Sequence, residues 1–359
     1  MESQQKHPGV ALRDLLVSKS ISQRELASLI QIAHSNLHNI LSGERSISAE
    51  IAVKLEAAGF KEATFWLNEQ MKYDLAEIAA KSTNEPKKIK QWATIQANVP
   101  VNYLKKHKIL NSNRDYDINA VLSLYKCNDI PSFEKKIKEY PFTHFRKSSA
   151  FSETRNNVIT WSMVAEHEVS QIPVKRAFNP ATKDELIKKL RRLFYDNKKI
   201  ISKTKELLLS YGIKFHTLDR PPKTPVDGKS FMSGENPAIV LTLKYKRLDN
   251  FAYNIMHELG HVFQHLTKQD LKDESFFTNN TSNDLLEFEA DSFARNELIP
   301  LDDWNQFVES TFEFTDEAIR NFAEKVKMHA AIVRGRVCFE FNNYYRRASE
   351  ITDTNKIDI

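Results

Sequence analysis

Two histidines four residues apart, inside an otherwise apolar stretch, constrain this chain more than any other feature. Residues 251–263 contain His257, Glu258 and His261 in the order H-E-x-x-H. On an α-helix both imidazoles lie on one face and can bind one metal ion, and Glu258 can lean toward the metal as a general base. The apolar neighbours indicate a buried helix, where unpaired polar groups cost free energy and a metal ion would pair them. The alternative is a chance match on a surface helix, because so short a motif recurs often.

A second acidic stretch downstream, residues 285–300, supplies a candidate third ligand. Glu287 and Asp291 are four residues apart and share one helix face. Zinc in hydrolytic sites commonly takes two histidines and one carboxylate and leaves a fourth position open to water. We therefore predict that Glu287 is the third ligand, and that Asp291 accepts the outer N–H of a ligand histidine and fixes its tautomer. Glu289 remains the rival carboxylate, and a solvated acidic helix face remains the alternative.

This ligand set points to Zn²⁺, and two histidines with a carboxylate also accept Mn²⁺ or Fe²⁺. Such a metal lowers the pKa of water at its open position and polarises a peptide carbonyl. Glu258 would take the proton of that water and pass it to the leaving amine. The sequence therefore predicts zinc-dependent peptide hydrolysis with Glu258 as the catalytic base.

The N-terminal stretch, residues 8–80, has the periodicity of five short helices. Ser22 and Glu25 form a capping-box pattern at the start of the second helix, and Gly43 ends a third helix over residues 33–41. Two helices joined by a short turn within a small bundle are typical of a helix-turn-helix domain. The third helix carries short polar side chains able to reach base edges: His34, Ser35, Asn36, His38 and Asn39. The alternative is a helical bundle that only binds other proteins.

Three motifs give this stretch a family resemblance. They are SQRELA at 22–27, LSGER at 41–45 and FWLN at 65–68. Together they make residues 7–78 resemble the HigA-type branch of the Xre helix-turn-helix family. The resemblance implies binding to a double-stranded DNA operator, with the third helix in the major groove, Gln23 near a phosphate and Arg45 as a further DNA contact.

Two positions depart from the pattern of that family. Gln31 stands where the family usually has the turn glycine, and Ala33 where it usually has a capping Ser or Thr. Charge departs from the expected pattern as well, because residues 1–80 carry 8 Lys and Arg against 10 Asp and Glu. Phosphate contacts normally dominate DNA affinity. We therefore expect weak DNA binding by this stretch alone.

Positive charge is concentrated in the middle of the chain. Residues 81–200 carry 24 Lys and Arg against 12 Asp and Glu, whereas residues 201–359 carry 20 against 25. The basic middle is either a surface for nucleic acid or an acidic partner, or a solvated lysine-rich face. We assign residues 81–184 to a helical connector or a sensing region, and the sequence does not choose between the two.

Strand patterns precede the H-E-x-x-H helix. Residues 212–218 alternate in polarity, and residues 230–233 and 238–243 indicate two further strands. Strands, then the motif helix, then the helix with Glu287 form a minimal zincin arrangement.

This order of elements resembles the ImmA/IrrE metallopeptidase family, which is M78-like, over residues 185–340. The resemblance implies that the metal site of the family falls on four residues: His257, Glu258, His261 and Glu287. Asp291 stands where the family more commonly has Asn. His329 is a further candidate that either lines the cleft or is structural.

The composition, 41% hydrophobic and 28% charged, is that of a soluble protein. No apolar run approaches the about 18 residues of a membrane span, and the N-terminus lacks the apolar core of a signal peptide. Two cysteines give no disulfide framework. We therefore expect a cytoplasmic protein.

The predicted fold is mainly α with a small β-sheet, in the α+β class. Its predicted parts are a five-helix helix-turn-helix bundle (1–80), a basic helical connector or sensing region (81–184), a minimal zincin-like peptidase domain (185–345) and a C-terminal tail (346–359). We expect a homodimeric transcriptional regulator whose zinc endopeptidase cleaves a helix-turn-helix repressor, or itself, in response to a signal. The alternative is an antitoxin-like or ligand-sensing repressor in which the peptidase fold is a non-proteolytic sensor.

Overall fold

Helices and one small mixed sheet build the chain, which confirms the predicted α+β class. The computed structural model describes residues 6–81, 84–140, 149–272, 274–278 and 285–357. Two units are distinguished, Met1–Lys90 and Gln91–Ile359. Within the described residues, no helix combines the length and the apolar character needed to cross a membrane.

Five helices make up most of the first unit, as the sequence predicts. They are α1 (Pro8–Ser18), α2 (Gln23–Leu29), α3 (His34–Ser42), α4 (Ala49–Ala57) and α5 (Ala63–Lys81). Their apolar faces meet in a core in which Leu12, Leu26, Leu37 and Trp66 are fully buried. Because helices this short are marginal alone, burial of this apolar surface stabilises them.

The turn between α2 and α3 contains both departures from the helix-turn-helix pattern. Gln31 adopts a φ of +53°, in the left-handed region that glycine enters more easily than other residues. Ala33 occupies the N-cap position of α3 and provides no side-chain hydrogen bond, whereas Ser22 and Glu25 form the predicted capping box at α2. The turn therefore keeps its geometry without two local interactions that would favour it.

Restoring the missing cap should stabilise the first unit. Ala33→Ser places a hydroxyl where it can accept a backbone N–H of the first turn of α3, which typically contributes about 1 kcal/mol. We expect slower native-state hydrogen exchange of the α3 amides, measured by mass spectrometry on the full chain. Ala49→Ser is the matched control, because Ser48 already caps α4. An equal effect of the two substitutions, or no effect of Ala33→Ser, would contradict this interpretation.

A four-stranded mixed sheet lies within the second unit. Its strands are β1 (Lys214–Thr217), β2 (Gly228–Ser233), β3 (Asn236–Leu241) and β4 (Ser275–Thr278), in the order β1-β3-β2-β4. β1 is parallel to β3, and both β3 and β4 are antiparallel to β2. The first three strands were predicted, whereas β4 is a finding of the structure. Its adjacent residues Phe276 and Phe277 are buried on opposite faces of the sheet, because side chains alternate along a strand.

Helices precede and follow the first three strands in the chain. Those before β1 are α6 (Glu85–Asn98), α7 (Val101–Lys106), α8 (Arg114–Leu124), α9 (Ile130–Glu139), α10 (Ser149–Ser170), α11 (Lys183–Asp196) and α12 (Ile200–Ser210). Those after β3 are α13 (Leu248–Gly260), α14 (Leu285–Leu298), α15 (Leu301–Ser310), α16 (Asp316–Lys325), α17 (Ala330–Glu340) and α18 (Glu350–Thr354).

Each face of the sheet belongs to a different hydrophobic core. Ile239 and Leu241 of β3 pack with α13 and the other helices of the C-terminal half. Ala238 and Val240 of the same strand pack with helices of the middle region, including the fully buried Trp161. The middle helices therefore cover one side of the sheet. The predicted domain boundaries stay predictions.

An ion pair is buried under this middle layer. Lys229 of β2 is completely buried, and its Nζ donates to Ser162 Oγ (2.6 Å) and to Glu166 Oε1 (2.8 Å) on α10. Burial acts to raise the pKa of Glu166, but the neighbouring Lys229 outweighs it and holds that pKa below its ordinary value. The pair links α10 to the sheet, and removal of Glu166 would leave the completely buried charge of Lys229 without its partner.

The stretch predicted as a C-terminal tail, residues 346–359, contains α18 and packs on α17. The guanidinium of Arg334 donates to the Arg347 carbonyl (2.9 Å) and to Thr352 Oγ1 (3.1 Å). Ile351 is buried in the same core as α13. The described part of this stretch is therefore attached to the domain that precedes it.

Candidate metal centre and DNA-binding face

The close approach of α13 and α14 assembles the candidate metal centre. Gly260, the last residue of α13, faces Ala290 of α14, and a Cβ added at Gly260 would lie only 2.9 Å from the Ala290 Cα. Any larger residue would therefore push the two helices apart. With glycine here, Glu287 in the first turn of α14 reaches the two histidines of α13 and of the turn that follows it.

Three ligand atoms converge at this crossing. The Nε2 atoms of His257 and His261 are 3.1 Å apart, and the Glu287 carboxylate lies 3.2 Å from His261 Nε2 and 3.4 Å from His257 Nε2. In a tetrahedral zinc site with bonds of 2.0–2.2 Å, neighbouring ligand atoms are about 3.3–3.6 Å apart. Among the described residues, these three form a group of His and Glu that could hold one ion. The sequence prediction selected the same three.

The chemistry of the group also fits a cation. All three residues are at most 4% exposed, and Glu287 Oε1 accepts no hydrogen bond from the described part of the chain. A buried carboxylate oxygen without a hydrogen-bond partner is costly, and a metal ion would remove that cost. The residues present therefore fit a zinc ion.

Without a metal, protonation of a histidine compensates part of the negative charge of this cluster. Burial acts to lower the pKa of His257, but its hydrogen bonds to Asp291 and Glu287 outweigh it and raise that pKa to about 10. Burial acts to raise the pKa of Glu287, but the two histidines outweigh it and lower that pKa to about 2. Burial lowers the pKa of His261 to about 4, so this imidazole is neutral at pH 7. A ligating histidine must be neutral, so metal binding would release the His257 proton.

Asp291 contacts the outer nitrogen of the first histidine, as predicted. Its Oδ1 lies 2.8 Å from His257 Nδ1 and also accepts a hydrogen bond from the Tyr253 hydroxyl at 2.6 Å. This carboxylate therefore fixes the ring of His257 with its Nε2 toward the cluster.

Glu289, the rival third ligand, contacts a different group. Its Oε2 lies 2.9 Å from Nε2 of His265, a fully buried histidine that the sequence prediction missed. His265 stands four residues after His261, so the spacing that identified the H-E-x-x-H pair also signalled this residue. The helix changes here into a π-helical turn, His261–His265.

Glu258 lies under strand β2 and is completely buried. The Ser230 hydroxyl donates to its Oε2. A Cβ added at Gly228 would lie 2.1 Å from Glu258 Oε1, so the absence of a side chain at that position provides the space for the carboxylate. Neither contact was predicted, because both depend on how β2 packs over α13.

His329 has a structural role in the fold. It is the N-cap residue of α17, and its Nδ1 accepts the backbone N–H of Ala331 at 3.2 Å. This contact matches the structural one of its two predicted roles.

The candidate DNA-binding residues lie on α3 and beside it. His34, Ser35 and His38 are exposed, whereas Asn36, Asn39 and Gln23 are half-buried. Gln23 is the first residue of α2. The exposed Arg45 donates from Nη1 to Asn36 Oδ1 at 2.7 Å, so these two predicted contacts form one hydrogen-bonded pair.

Comparison with known proteins assigns families to both parts of the chain. Residues 210–337 match the IrrE N-terminal-like domain, Peptidase_M78, and residues 12–65 match the helix-turn-helix family HTH_3. The first match contains the candidate metal centre, and the second contains α2 and α3.

Relatives of the N-terminal part include three proteins. Virulence-associated protein A' of Dichelobacter nodosus is 36% identical over 73 residues, which are 20% of this chain and 64% of that protein. The uncharacterized HTH-type transcriptional regulator YddM of Escherichia coli is 33% identical over 70 residues, 20% of this chain and 74% of that one. The solved structure of an addiction module antidote protein of a HigA family from Coxiella burnetii is 34% identical, covers 22% of this chain and 88% of its own, and has a TM-score of 0.21. The chain thus spans just under two thirds of the length of the first of these relatives.

The two family matches agree with the helix-turn-helix and M78-like resemblances of the sequence. The chain belongs to the Xre-like helix-turn-helix family through its N-terminal part, and its C-terminal part is an IrrE N-terminal-like domain of the M78 peptidase family.

Proposed function

We propose that this chain is a transcriptional regulator that binds an operator in double-stranded DNA and carries a zinc-dependent endopeptidase. The convergence of His257, His261 and Glu287, with ligand atoms 3.1–3.4 Å apart, is the observation on which the proposal rests. The helix-turn-helix match and the relative described as an HTH-type transcriptional regulator support the DNA-binding part. The M78 match supports the peptidase part.

The roles of the residues follow from their positions. His257, His261 and Glu287 would hold the ion, with two imidazoles and one carboxylate that suit Zn²⁺ and also accept Mn²⁺. Zinc supplies Lewis acidity toward a peptide carbonyl and lowers the pKa of water. Glu258 accepts the proton of the attacking water and gives it to the leaving amine, and Ser230 orients the Glu258 carboxylate through its hydrogen bond.

The substrate we propose is a helix-turn-helix repressor or this chain itself. The support is the presence of a helix-turn-helix domain in the same polypeptide as the peptidase domain, which brings such a fold near the site at high effective concentration. Cleavage in response to a signal would then remove DNA binding.

The burial of the centre favours a second candidate function. His257, Glu258, His261 and Glu287 are each at most 4% exposed, so these residues themselves offer almost no surface to a peptide. A regulator in which metal binding is sensed without proteolysis does not need a peptide to reach them. Zinc uptake and peptide cleavage therefore have to be measured separately.

A homodimer is the assembly we propose for DNA binding. Helix α5 exposes four apolar side chains at helical spacing, with 37–59% of each accessible: Leu67, Met71, Leu75 and Ile78. Such a stripe is suited to pairing with its copy, and a two-fold dimer matches two half-sites about one helical turn apart.

Metal binding should depend on the three proposed ligands. His257→Ala or His261→Ala should abolish stoichiometric zinc binding, because each removes one of three protein ligands. Glu287→Gln should weaken zinc binding more than Glu289→Gln, since only the former removes the negative charge of a proposed ligand. Chelator competition with the purified full chain gives the dissociation constants. A larger loss with Glu289→Gln would identify Glu289 as the ligand and Glu287 as its neighbour.

Proteolysis should depend on Glu258 without zinc binding depending on it. Glu258→Gln should keep one zinc per chain and slow cleavage by roughly 100-fold or more, as for loss of a general base. Zinc-loaded protein is incubated alone and with a mixed peptide library, and products are identified by mass spectrometry. Glu309→Gln on α15, an exposed position, is the control. Cleavage at the wild-type rate by Glu258→Gln would exclude its catalytic role. Absence of any cleavage by the zinc-loaded wild type would favour the second candidate function, in which metal binding is sensed without proteolysis.

Sequence preference should depend on the third helix. Asn36→Ala and Asn39→Ala should each reduce the preference for a site selected from random DNA over a scrambled one, because a good base contact contributes about 1–3 kcal/mol. Dissociation constants on both DNAs, at one salt concentration, give the ratio. Asn68→Ala, an exposed asparagine on α5, should leave the ratio unchanged. An equal loss of affinity on every DNA would place Asn36 and Asn39 on phosphates.

A further inference from the structure

His261 has an outer hydrogen-bond partner that no part of the proposed mechanism uses. Its Nδ1 lies 2.9 Å from Nδ1 of His265, and His265 Nε2 lies 2.9 Å from Glu289 Oε2. His265 is fully buried, whereas Glu289 reaches partial exposure at 39% of its side chain. The three side chains form a chain of hydrogen bonds that leads from the candidate metal centre toward solvent.

We propose that His265 and Glu289 are positioning residues that hold His261 in its metal-binding tautomer. The proposal rests on the metal centre of the proposed function, and it does not depend on peptide cleavage.

The positions of the protons follow from the chemistry of each atom. His261 Nε2 faces the other ligand atoms at 3.1 and 3.2 Å, so to bind a cation among them it must direct its lone pair there and carry its proton on Nδ1. That N–H can donate only if His265 Nδ1 accepts, which puts the proton of His265 on Nε2. This second N–H donates to Glu289, and an ionised carboxylate is purely an acceptor. One arrangement of protons therefore satisfies every link.

His257 also has a carboxylate partner on its outer nitrogen, but without an intervening histidine. His257 Nδ1 meets Asp291 directly at 2.8 Å. Both proposed metal-binding imidazoles thus end on a carboxylate, one directly and the other through an intervening imidazole. A carboxylate at the end of such a link orients the ring and makes the ligating nitrogen more basic.

The local backbone is built to bring His265 into this position. The N–H of Leu266 bonds the carbonyl of His261, five residues earlier, at 2.9 Å, which makes the turn π-helical rather than α-helical. Such turns are rare and are often found at functional sites. Phe276 of β4 stacks on the His261 ring at 4.5 Å between centroids and contacts the His265 ring at 5.3 Å. Both rings are therefore fixed from the sheet side.

His265 is not itself placed as a ligand. One of its ring nitrogens faces His261 Nδ1 and the other faces Glu289, so neither faces the cluster. The group of three potential ligands also excludes it. Its contribution to metal binding would pass through His261.

The test measures zinc affinity and tautomer in the full chain. His265→Phe keeps an aromatic ring of similar size and removes both nitrogens, and we expect zinc to dissociate about 10–100-fold more readily, as for loss of other such outer partners. His265→Asn keeps an acceptor oxygen near the position of Nδ1 and should recover part of that affinity. Glu289→Gln should have a smaller effect than His265→Phe. His216→Phe on β1 is the control substitution and should leave zinc affinity unchanged.

A spectroscopic readout separates positioning from simple packing. Histidine-selective ¹⁵N labelling and two-bond ¹H–¹⁵N correlation should show His261 of the zinc-loaded wild type protonated on Nδ1 alone. In zinc-free His265→Phe we expect a mixture of the two neutral tautomers, whereas the zinc-free wild type should retain the Nδ1–H form. A purely structural role would change thermal stability without mixing the tautomers.

Three results would overturn the proposal. His265→Phe could bind zinc as the wild type does and retain a single tautomer, in which case the hydrogen-bond chain has no effect. It could lose zinc as completely as His261→Ala, in which case His265 is a ligand. A wild-type chain that binds neither zinc nor manganese would remove the metal centre itself and the positioning role with it.

Discussion

The contact between α13 and α14 is the constraint on which the rest of the C-terminal unit depends. Gly260 allows the helices to approach so closely that Glu287 enters the space beside His257 and His261. The same contact brings Asp291 and Glu289 to the outer nitrogens of two histidines. A single close helix crossing therefore positions every carboxylate of the cluster except Glu258. That one comes from α13 itself and is held by strand β2.

The ionisable groups at this helix crossing are buried, and each of them therefore needs a partner. Ionisable groups are expensive inside a protein unless each finds a partner. Here the cluster reaches balance through hydrogen bonds that end on carboxylates at its edge, with Asp291 on one side and Glu289 on the other. The remaining imbalance lies at the centre, where Glu287 Oε1 lacks a hydrogen bond and two imidazole nitrogens face each other at 3.1 Å. A divalent cation is the simplest group that would satisfy all three atoms at once.

Residues related by helical spacing could be predicted from the sequence, and residues related by tertiary packing could not. The i, i+4 rule identified His257 with His261 and Glu287 with Asp291, and the same periodicity gave the five N-terminal helices. The family motifs identified Gln31 and Ala33 as departures. In the structure Gln31 adopts a positive φ, and Ala33 leaves α3 without a side-chain cap. The roles of Ser230 and Gly228 could not be predicted from the sequence, because their contact with Glu258 depends on how β2 packs over a helix that lies later in the chain. Strand β4 was missed because four residues give too short an alternating pattern, although its two phenylalanines lie on opposite faces.

The joining of a helix-turn-helix to an M78 domain places DNA recognition and a candidate hydrolytic site in one polypeptide, and the metal is the claim on which the hydrolytic role depends. Anomalous diffraction from a crystal of the full chain grown with zinc, with data collected on both sides of the zinc absorption edge, tests it most directly. We predict one strong peak per chain, about 2.0–2.2 Å from His257 Nε2, His261 Nε2 and a Glu287 oxygen. A peak bound by Glu289 or His265 in place of Glu287, or no peak at this crossing, would contradict the assignment.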